Sequence, residues 1–370
     1  DMLAASGGPA PERPLVLHVL PYDLARGAQV YARALRDALD TPEVRHETVT
    51  LFDGEPGILD PDHTLGVPRQ PLRRFGYDPR ASARLGELVE ALDPVVLVTH
   101  GAEPLKYTLP IANGRPVVHY RIGISAVRSG PRLELLALQH RAADVVCGVS
   151  RETLEEAVEL FGVHPDRCVL IPNGRDPERY QPAPKADGPP LLVFLGAFAP
   201  TKRPELFLDV VEALKARGLD FQAEMIGDGA HFAELEPRGR ALGVAMLGRR
   251  EDVPDLLPRA TVFLFTSVPE GEGMPGVFIE AGLCGVATVA TQVPGATTVI
   301  EDGVTGFVVP PDDRQALIDR VAELLADPAR ARAMGEAAVA RCREGFTLEV
   351  GFARWNDVLA TQLRRLHGAA

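Results

Sequence analysis

The sequence predicts an α/β protein of two doubly wound domains that face each other across a cleft. Three observations carry this prediction. Strand-like apolar runs alternate with amphipathic helical stretches along nearly the whole chain, the pattern of mostly parallel sheets covered by helices. The 370 residues exceed the usual size of one hydrophobic core. A Pro-rich segment, QPAPKADGPP at 181–190, divides the alternation into two series of similar size.

The first 14 residues have neither a charged start nor an apolar stretch and are expected to be a disordered leader. A strand at 15–20 (LVLHVL), a loop closing on Gly27 and a helix at 29–39 follow. Strand, glycine loop and helix form the phosphate-facing arrangement of nucleotide-binding sheets, here without a full G-x-G-x-x-G. Residues 53–80 are rich in Pro and Gly and read as an exposed excursion; Arg69, Arg73, Arg74, Arg80 and Arg84 lie there or just beyond. Strands are predicted at 95–99, 116–120, 144–149 and 168–171, and helices at 133–142 and 151–161.

The second series has strands at 191–195, 221–226, 244–247, 261–266, 286–290 and 304–309. Helices are expected at 204–216, 231–242, 253–257, 277–283 and 313–325, and a terminal helix at 350–366 carries the single Trp, Trp355. The expected division is therefore an N-terminal domain at 15–183, a C-terminal domain at 184–349, and a closing segment at 350–370 that crosses back to the first domain.

Hydrophobic residues at 46% and charged ones at 24% are ordinary globular values, and no apolar run approaches the ~20 residues of a membrane span. With 39 Lys+Arg against 51 Asp+Glu, the formal charge of −12 argues against a nucleic-acid partner. Cys147, Cys168, Cys284 and Cys342 are widely spaced without metal-ligand spacing, which points to free thiols in a reducing cytoplasm.

The most informative stretch is TVFLFTSVPEGEGMPGVFIEAGLCGVATVAT at 261–291, read as strand, loop, helix, strand. Its helix start leaves the N–H groups of Gly273, Met274, Gly276 and Val277 open, and helix starts attract anions. Glu272 and Glu280, with seven residues between them, frame that start. An anion-binding turn between two carboxylates suits a ligand that is part phosphate and part sugar; two solvated glutamates on a glycine loop would carry the same letters.

Glu272-Gly273-Met274-Pro275, ending in Glu280-Ala281, resembles the Glu-x7-Glu motif of the retaining glycosyltransferases of family 4. Further landmarks come in that family's order: the glycine loop at Gly27, His119, Asn173-Gly174-Arg175-Asp176, Gly196 with Lys202, Gly227-Asp228-Gly229, and Asp302 to Phe307. The resemblance spans residues 15–330 and implies the GT-B fold, two Rossmann-like domains with a donor cleft between them. It implies transfer of a sugar from a nucleotide diphosphate sugar with retention, the donor held mainly by the second domain and the acceptor by the first.

Carried over residue by residue, it implies that Glu280 binds the ribose hydroxyls and that Glu272, Gly273, Met274, Pro275, Gly276 and Val277 hold the transferred sugar and phosphates. Gly27, Gly196, Arg203, Gly248 and Arg249 are further donor-site candidates, with Glu272, Lys202 and His119 the expected catalytic residues. Charge builds on the departing diphosphate, so a fixed donor such as Lys202 lowers the barrier. The family's Arg after the glycine matched by Gly196 is replaced here by Ala197, leaving Arg203, Arg249, Arg250 or Arg26 to substitute.

No metal and no cofactor are expected. Asp60-Pro61-Asp62 has the letters of a DxD signature but lacks a preceding strand. His119 is the stronger and His100 the weaker histidine candidate, and Asn173 and Asp176 are expected to be turn residues. The expected reaction moves a sugar, from a UDP-sugar, to a hydroxyl of a small molecule or glycoside such as a bacterial natural product; a GDP-sugar with a lipid or wall acceptor, or a nucleotide-sugar epimerase of the same fold, are the alternatives. An oxidoreductase is disfavoured by the incomplete glycine fingerprint.

Overall fold

The computed structural model describes residues 13–22, 27–54, 60–68, 76–185, 188–270 and 272–368. Residues 1–12 of the expected leader, Arg26, Arg69, Arg73 and Arg74 lie outside these; its last two residues are ordered, with Arg13 paired to Asp40 and Pro14 O accepting from the Arg45 N–H. The first sheet comprises β1 (Leu15–Tyr22), β2 (Arg45–Phe52), β3 (His63–Val67), β4 (Val96–His100), β5 (Val117–Arg121), β6 (Val145–Gly148) and β7 (Cys168–Leu170). All its pairings are parallel, in the order β3-β2-β1-β4-β5-β6-β7.

The second sheet comprises β8 (Leu191–Leu195), β9 (Gln222–Ile226), β10 (Ala245–Gly248), β11 (Val262–Phe265), β12 (Ala287–Thr291) and β13 (Gly306–Val309). It is likewise parallel, in the order β10-β9-β8-β11-β12-β13. In each sheet the order reverses beside the first strand, between β1 and β4 and between β8 and β11. Ligand crevices in open α/β sheets lie beyond the strand ends at such reversals.

Two strands, β2 and β3, are additions to the sequence reading. The stretch 53–80 is in part ordered structure: β3 crosses it, and the helix Pro79–Leu92 begins at its end with Asp78 accepting from the Arg80 N–H. Helices Ala102–Thr108 and Pro328–Gly345 are further additions. Asp62, of the DxD letters, accepts from Arg36 Nη1 at 2.7 Å and from the Thr48 N–H at 2.8 Å, so it anchors β3 to its neighbours.

The terminal helix, Leu348–Gly368, packs on the first sheet. Trp355 is fully buried, its ring 5.1 Å from that of Tyr120 on β5. One continuous apolar cluster runs from Val16 and Tyr120 through Trp355 to Phe278, Ala290 and Cys342, joining the two sheets' facing sides. Burial of such continuous surface is the dominant favourable contribution to holding the halves together.

Polar contacts cross the same junction. The Glu152 carboxylate, in the first turn of the helix Arg151–Glu159, accepts from the Gly295 N–H at 3.0 Å, Thr297 Oγ1 at 3.0 Å and Thr298 Oγ1 at 3.2 Å. In return the Arg151 N–H donates to Thr298 Oγ1 at 3.0 Å.

Candidate active site

The larger cavity lies at the reversal of the second sheet and has a volume of about 820 Å³. Gly196, just past β8, and Thr266 and Ser267, just past β11, form its floor. Gly196 is held by its neighbour strand: it donates its N–H to Ile226 O at 3.0 Å. Gly227, at φ +142°, lies against it so closely that a Cβ there would fall 1.8 Å from Gly196 O, so only glycine fits.

Lys202 ends a single 3₁₀ turn, Pro200–Lys202, and pairs with Glu272 across the cavity. Its ammonium also lies 5.6 Å from the Phe265 ring. Thr266 Oγ1 donates to Lys202 O at 2.7 Å, which fixes the backbone that carries the lysine. Both side chains of the pair are largely shielded, 29% and 12% exposed for Lys202 and Glu272, so their charges interact more strongly than on an open surface.

The helix Gly276–Leu283 begins beside Glu272 with Pro275 at its N-cap position, which supplies no side-chain cap. The segment leading to it is clamped from both domains. A Cβ at Gly273 would meet Ile122 O at 2.0 Å, and Met274 is buried against Gly295. One turn into the helix, Glu280 accepts from Arg175 Nε at 2.7 Å.

Gly196, Lys202, Glu272, Pro275, Gly276, Val277 and Glu280 therefore meet around one space. Gly273 and Met274 position the loop instead of lining it. Arg203 is not among the residues lining the cavity: it stands at the N-cap position of the helix Pro204–Ala216 at φ +45°, and its guanidinium donates to Thr266 O at 2.6 Å and Pro311 O at 2.9 Å. Gly248 and Arg249 also stand outside the lining, where Arg250 and Glu251 take their place. Arg250 is held in a fork by Asp252 at 2.8 and 2.6 Å. Arg179, Tyr180 and Ser267 are lining residues that sequence reasoning missed; none has a local pattern that distinguishes it from a turn or core residue. Arg175, part of the Asn173-to-Asp176 landmark but given no role there, stands behind the lining and reaches it through Glu280.

Gly27 and His119 belong to the other reversal. Gly27 starts the helix Gly27–Leu39, in the first domain. A second cavity of about 370 Å³ follows the ends of β1, β4 and β5, lined by Tyr22, Gln29, His100, His119, Arg121 and others. His119 Nδ1 is 2.9 Å from Thr99 Oγ1. His100 Nε2 is 3.0 Å from His18 Nδ1, and His18 Nε2 is 3.0 Å from His46 Nδ1, a buried chain of three imidazoles.

Burial pushes His100 down to about 3 and His46 to about 4. His119 is also driven well below its ordinary value, by burial and then by His140 and Arg121. These rings are neutral at pH 7. Among the described residues, His119 Nε2, His100 Nδ1 and Gln29 Oε1 are buried without a hydrogen-bond partner. All three residues line this cavity, and unpartnered buried polar atoms of this kind are costly to the fold. Arg121 is engaged by Glu156 and His140, leaving this space lined by neutral donors and acceptors and Glu103.

Among the described residues no group of three or more His, Cys, Asp or Glu is arranged to hold a metal ion, and no helix is long and apolar enough to cross a membrane.

Comparison with known proteins bears on both halves. The family model "Glycosyltransferase Family 4" matches residues 25–179, and "Glycosyl transferases group 1" matches residues 189–327. A GDP-mannose-dependent alpha-(1-6)-phosphatidylinositol monomannoside mannosyltransferase of Mycolicibacterium smegmatis is 30% identical over 298 residues, 73% of this chain and 78% of its own. A D-inositol 3-phosphate glycosyltransferase of Kribbella flavida is 29% identical over 56% of this chain and 54% of its own, so the chain spans about half of that relative.

Among solved structures, HepE of Anabaena in complex with UDP superposes with a TM-score of 0.77 at 19% identity, over 94% of this chain and 99% of that one. Sucrose-phosphate synthase of Thermosynechococcus elongatus gives 0.74 at 19% identity, over 97% and 100%. Two parallel sheets with a cavity at each reversal, matched in order by both family models and by a relative along most of its length, make this chain a glycosyltransferase of family 4 with the GT-B fold.

Proposed function

We propose that the protein transfers a sugar from a nucleoside diphosphate sugar, bound in the second-domain cavity, to a hydroxyl group presented by the first domain, with retention at the anomeric carbon and without a metal ion. The observation that carries this reading is the convergence of Lys202, Glu272, Glu280 and the uncapped start of the helix Gly276–Leu283 on one cavity. A cation and open N–H groups suit a diphosphate, and carboxylates, which only accept, suit sugar hydroxyls.

In this reading Glu280 accepts from the ribose diol, Lys202 and the helix start receive the diphosphate, and Glu272 orients the transferred sugar. The sugar–phosphate C–O bond breaks with its electron pair on the diphosphate. The acceptor hydroxyl attacks the same face of the cationic sugar, and its proton passes to a phosphate oxygen. Fixed donors on the developing negative charge are typically worth ~3 to 4 kcal/mol each. Lys202 is poised for this, since the diphosphate can compete with Glu272 for its ammonium.

The first-domain cavity, with its unpartnered His100, His119 and Gln29 atoms, is the proposed acceptor side, and its neutral imidazoles and Gln29 beside Glu103 suit a hydroxylated small molecule or glycoside. The four free cysteines, three of them buried, accord with a reducing compartment, and the cytoplasm is the proposed location. A UDP-sugar is the first donor proposed, and the similarity to a GDP-mannose-dependent enzyme favours GDP-mannose as the second reading.

Incubation with UDP-glucose or GDP-mannose and a panel of polyol and glycoside acceptors, with EDTA present, tests this directly. The expected product keeps the donor's anomeric configuration by NMR. An inverted product, or turnover only with added divalent metal, would refute the mechanism.

A further inference from the structure

Arg175 sits in the segment that joins the two domains, and its backbone is fixed there: its N–H donates to Phe346 O and its carbonyl accepts from Leu348 N–H, both at 3.0 Å. Its side chain reaches over the cavity's helix. Nε donates to Glu280 Oε1 at 2.7 Å, and Nη1 lies 3.1 Å from Gly174 O and 3.3 Å from Asn173 O. Nη2 makes no hydrogen bond among the described residues. A Cβ at Gly276 would fall 1.6 Å from it, so the guanidinium lies directly over the first residue of the helix Gly276–Leu283 and a larger residue there would displace it.

A cation at a helix start opposes the helix dipole and is unfavourable there unless negative charge accompanies it. Glu280 supplies one such charge and uses only the Nε edge. The free Nη2 faces the end of the helix that attracts anions. The lining cations offer less: Lys202 is paired with Glu272, Arg250 is forked to Asp252, and Arg179 is exposed at the rim. Ala197 provides no charge beside Gly196.

We propose that Arg175 is a diphosphate-binding residue of this site, with Nη2 donating to the leaving group while Nε holds Glu280 in position for the nucleoside. The assignment rests on the donor-site reading above. It makes one side chain responsible for joining nucleoside recognition to leaving-group charge, at the point where the two domains are linked.

The test is calorimetric titration of the full chain, wild type, Arg175→Gln and Arg175→Lys, with UDP, GDP, ADP and TDP and with the matching nucleosides. Arg175→Gln, which keeps a donor for Glu280, is expected to weaken the diphosphate about tenfold or more and the nucleoside less than about twofold. Arg175→Lys is expected to recover most of the loss, and serves if the glutamine variant does not fold. Equal weakening of diphosphate and nucleoside, or none of either, overturns the assignment alone. No diphosphate binding by the wild type overturns the donor site and the assignment with it.

Discussion

Lys202 and Glu272, separated by 70 positions in the sequence, form an ion pair across the cavity between the ends of β8 and β11. Each holds the other in place, and each has a different partner in the proposed complex. The pair is thus a spring-loaded arrangement only in the sense that the diphosphate must displace a carboxylate from Lys202. Its two members should then fail differently when removed.

Lys202→Ala is expected to lower kcat by about 10²- to 10³-fold, the effect of losing one fixed donor to developing charge, with a smaller change in KM. Steady-state kinetics with the identified donor measures both. A change confined to KM would mean that the lysine serves ground-state binding only.

Gly227→Ala places a methyl group against Gly196 O at a backbone angle that side chains rarely adopt. The expected cost is roughly 2 to 4 kcal/mol of stability, from strain and forced displacement. Urea unfolding of the variant checks this. A midpoint equal to wild type would show that the contact relaxes without cost and that the floor of the cavity is softer than the structure implies.

The buried histidines set a pH dependence of stability. In the folded protein His18 and His100 are held far below 6.5 by burial, and His46 at about 4, whereas the unfolded chain protonates all three near 6.5. The unfolded state therefore binds more protons as pH falls below 6.5. Stability is fully present above that value and declines as pH falls, by up to about 1.4 kcal/mol per pH unit for each residue, to about pH 4 for His46 and about pH 3 for His100. Urea unfolding at pH 7.0 and 5.5 should show the decline, and His46→Gln should make it shallower. A slope unchanged by that substitution would exclude His46 as a contributor.

Glu152→Ala removes three acceptor contacts across the domain junction. Hydrogen exchange of the Gly295 amide, which donates to that carboxylate, should accelerate, while exchange within β12 stays as in wild type. Equal rates at Gly295 in both proteins would show that the contact does not hold the domains together.

The alternation of strand and helix was legible because most strands here are buried on both faces and read as continuous apolar runs, such as LLVFL in β8 and VFLF in β11. β2, RHETVTLF, is polar in its first half, because His46 and Thr48 turn toward His18 and Asp62. β3 is five residues long with a glycine at φ +57°, next to a register shift, so it lacks a clear period. The helix Pro328–Gly345 carries Arg and Ala in place of larger apolar residues and buries only small faces of itself.

At the site, the motif residues Glu272 and Glu280 were legible because one helix start spaces them. Arg175 was not, since its contact with Glu280 spans 105 positions and depends on how the joining segment crosses the junction. Arg203 illustrates the converse: it adjoins Lys202 in sequence, yet its left-handed backbone turns the side chain toward Thr266 and Pro311.

The central claim is that the cavity between β8 and β11 holds a nucleoside diphosphate with Glu280 on its ribose. Calorimetric titration of UDP and GDP into wild type and Glu280→Ala, with EDTA present, tests it most directly. The account predicts saturable one-to-one binding of at least one diphosphate, weakened about tenfold in the variant, the loss of about 1.4 kcal/mol that hydrogen bonds to a charged acceptor supply. Binding of equal strength in both proteins, or none in the wild type, would contradict it.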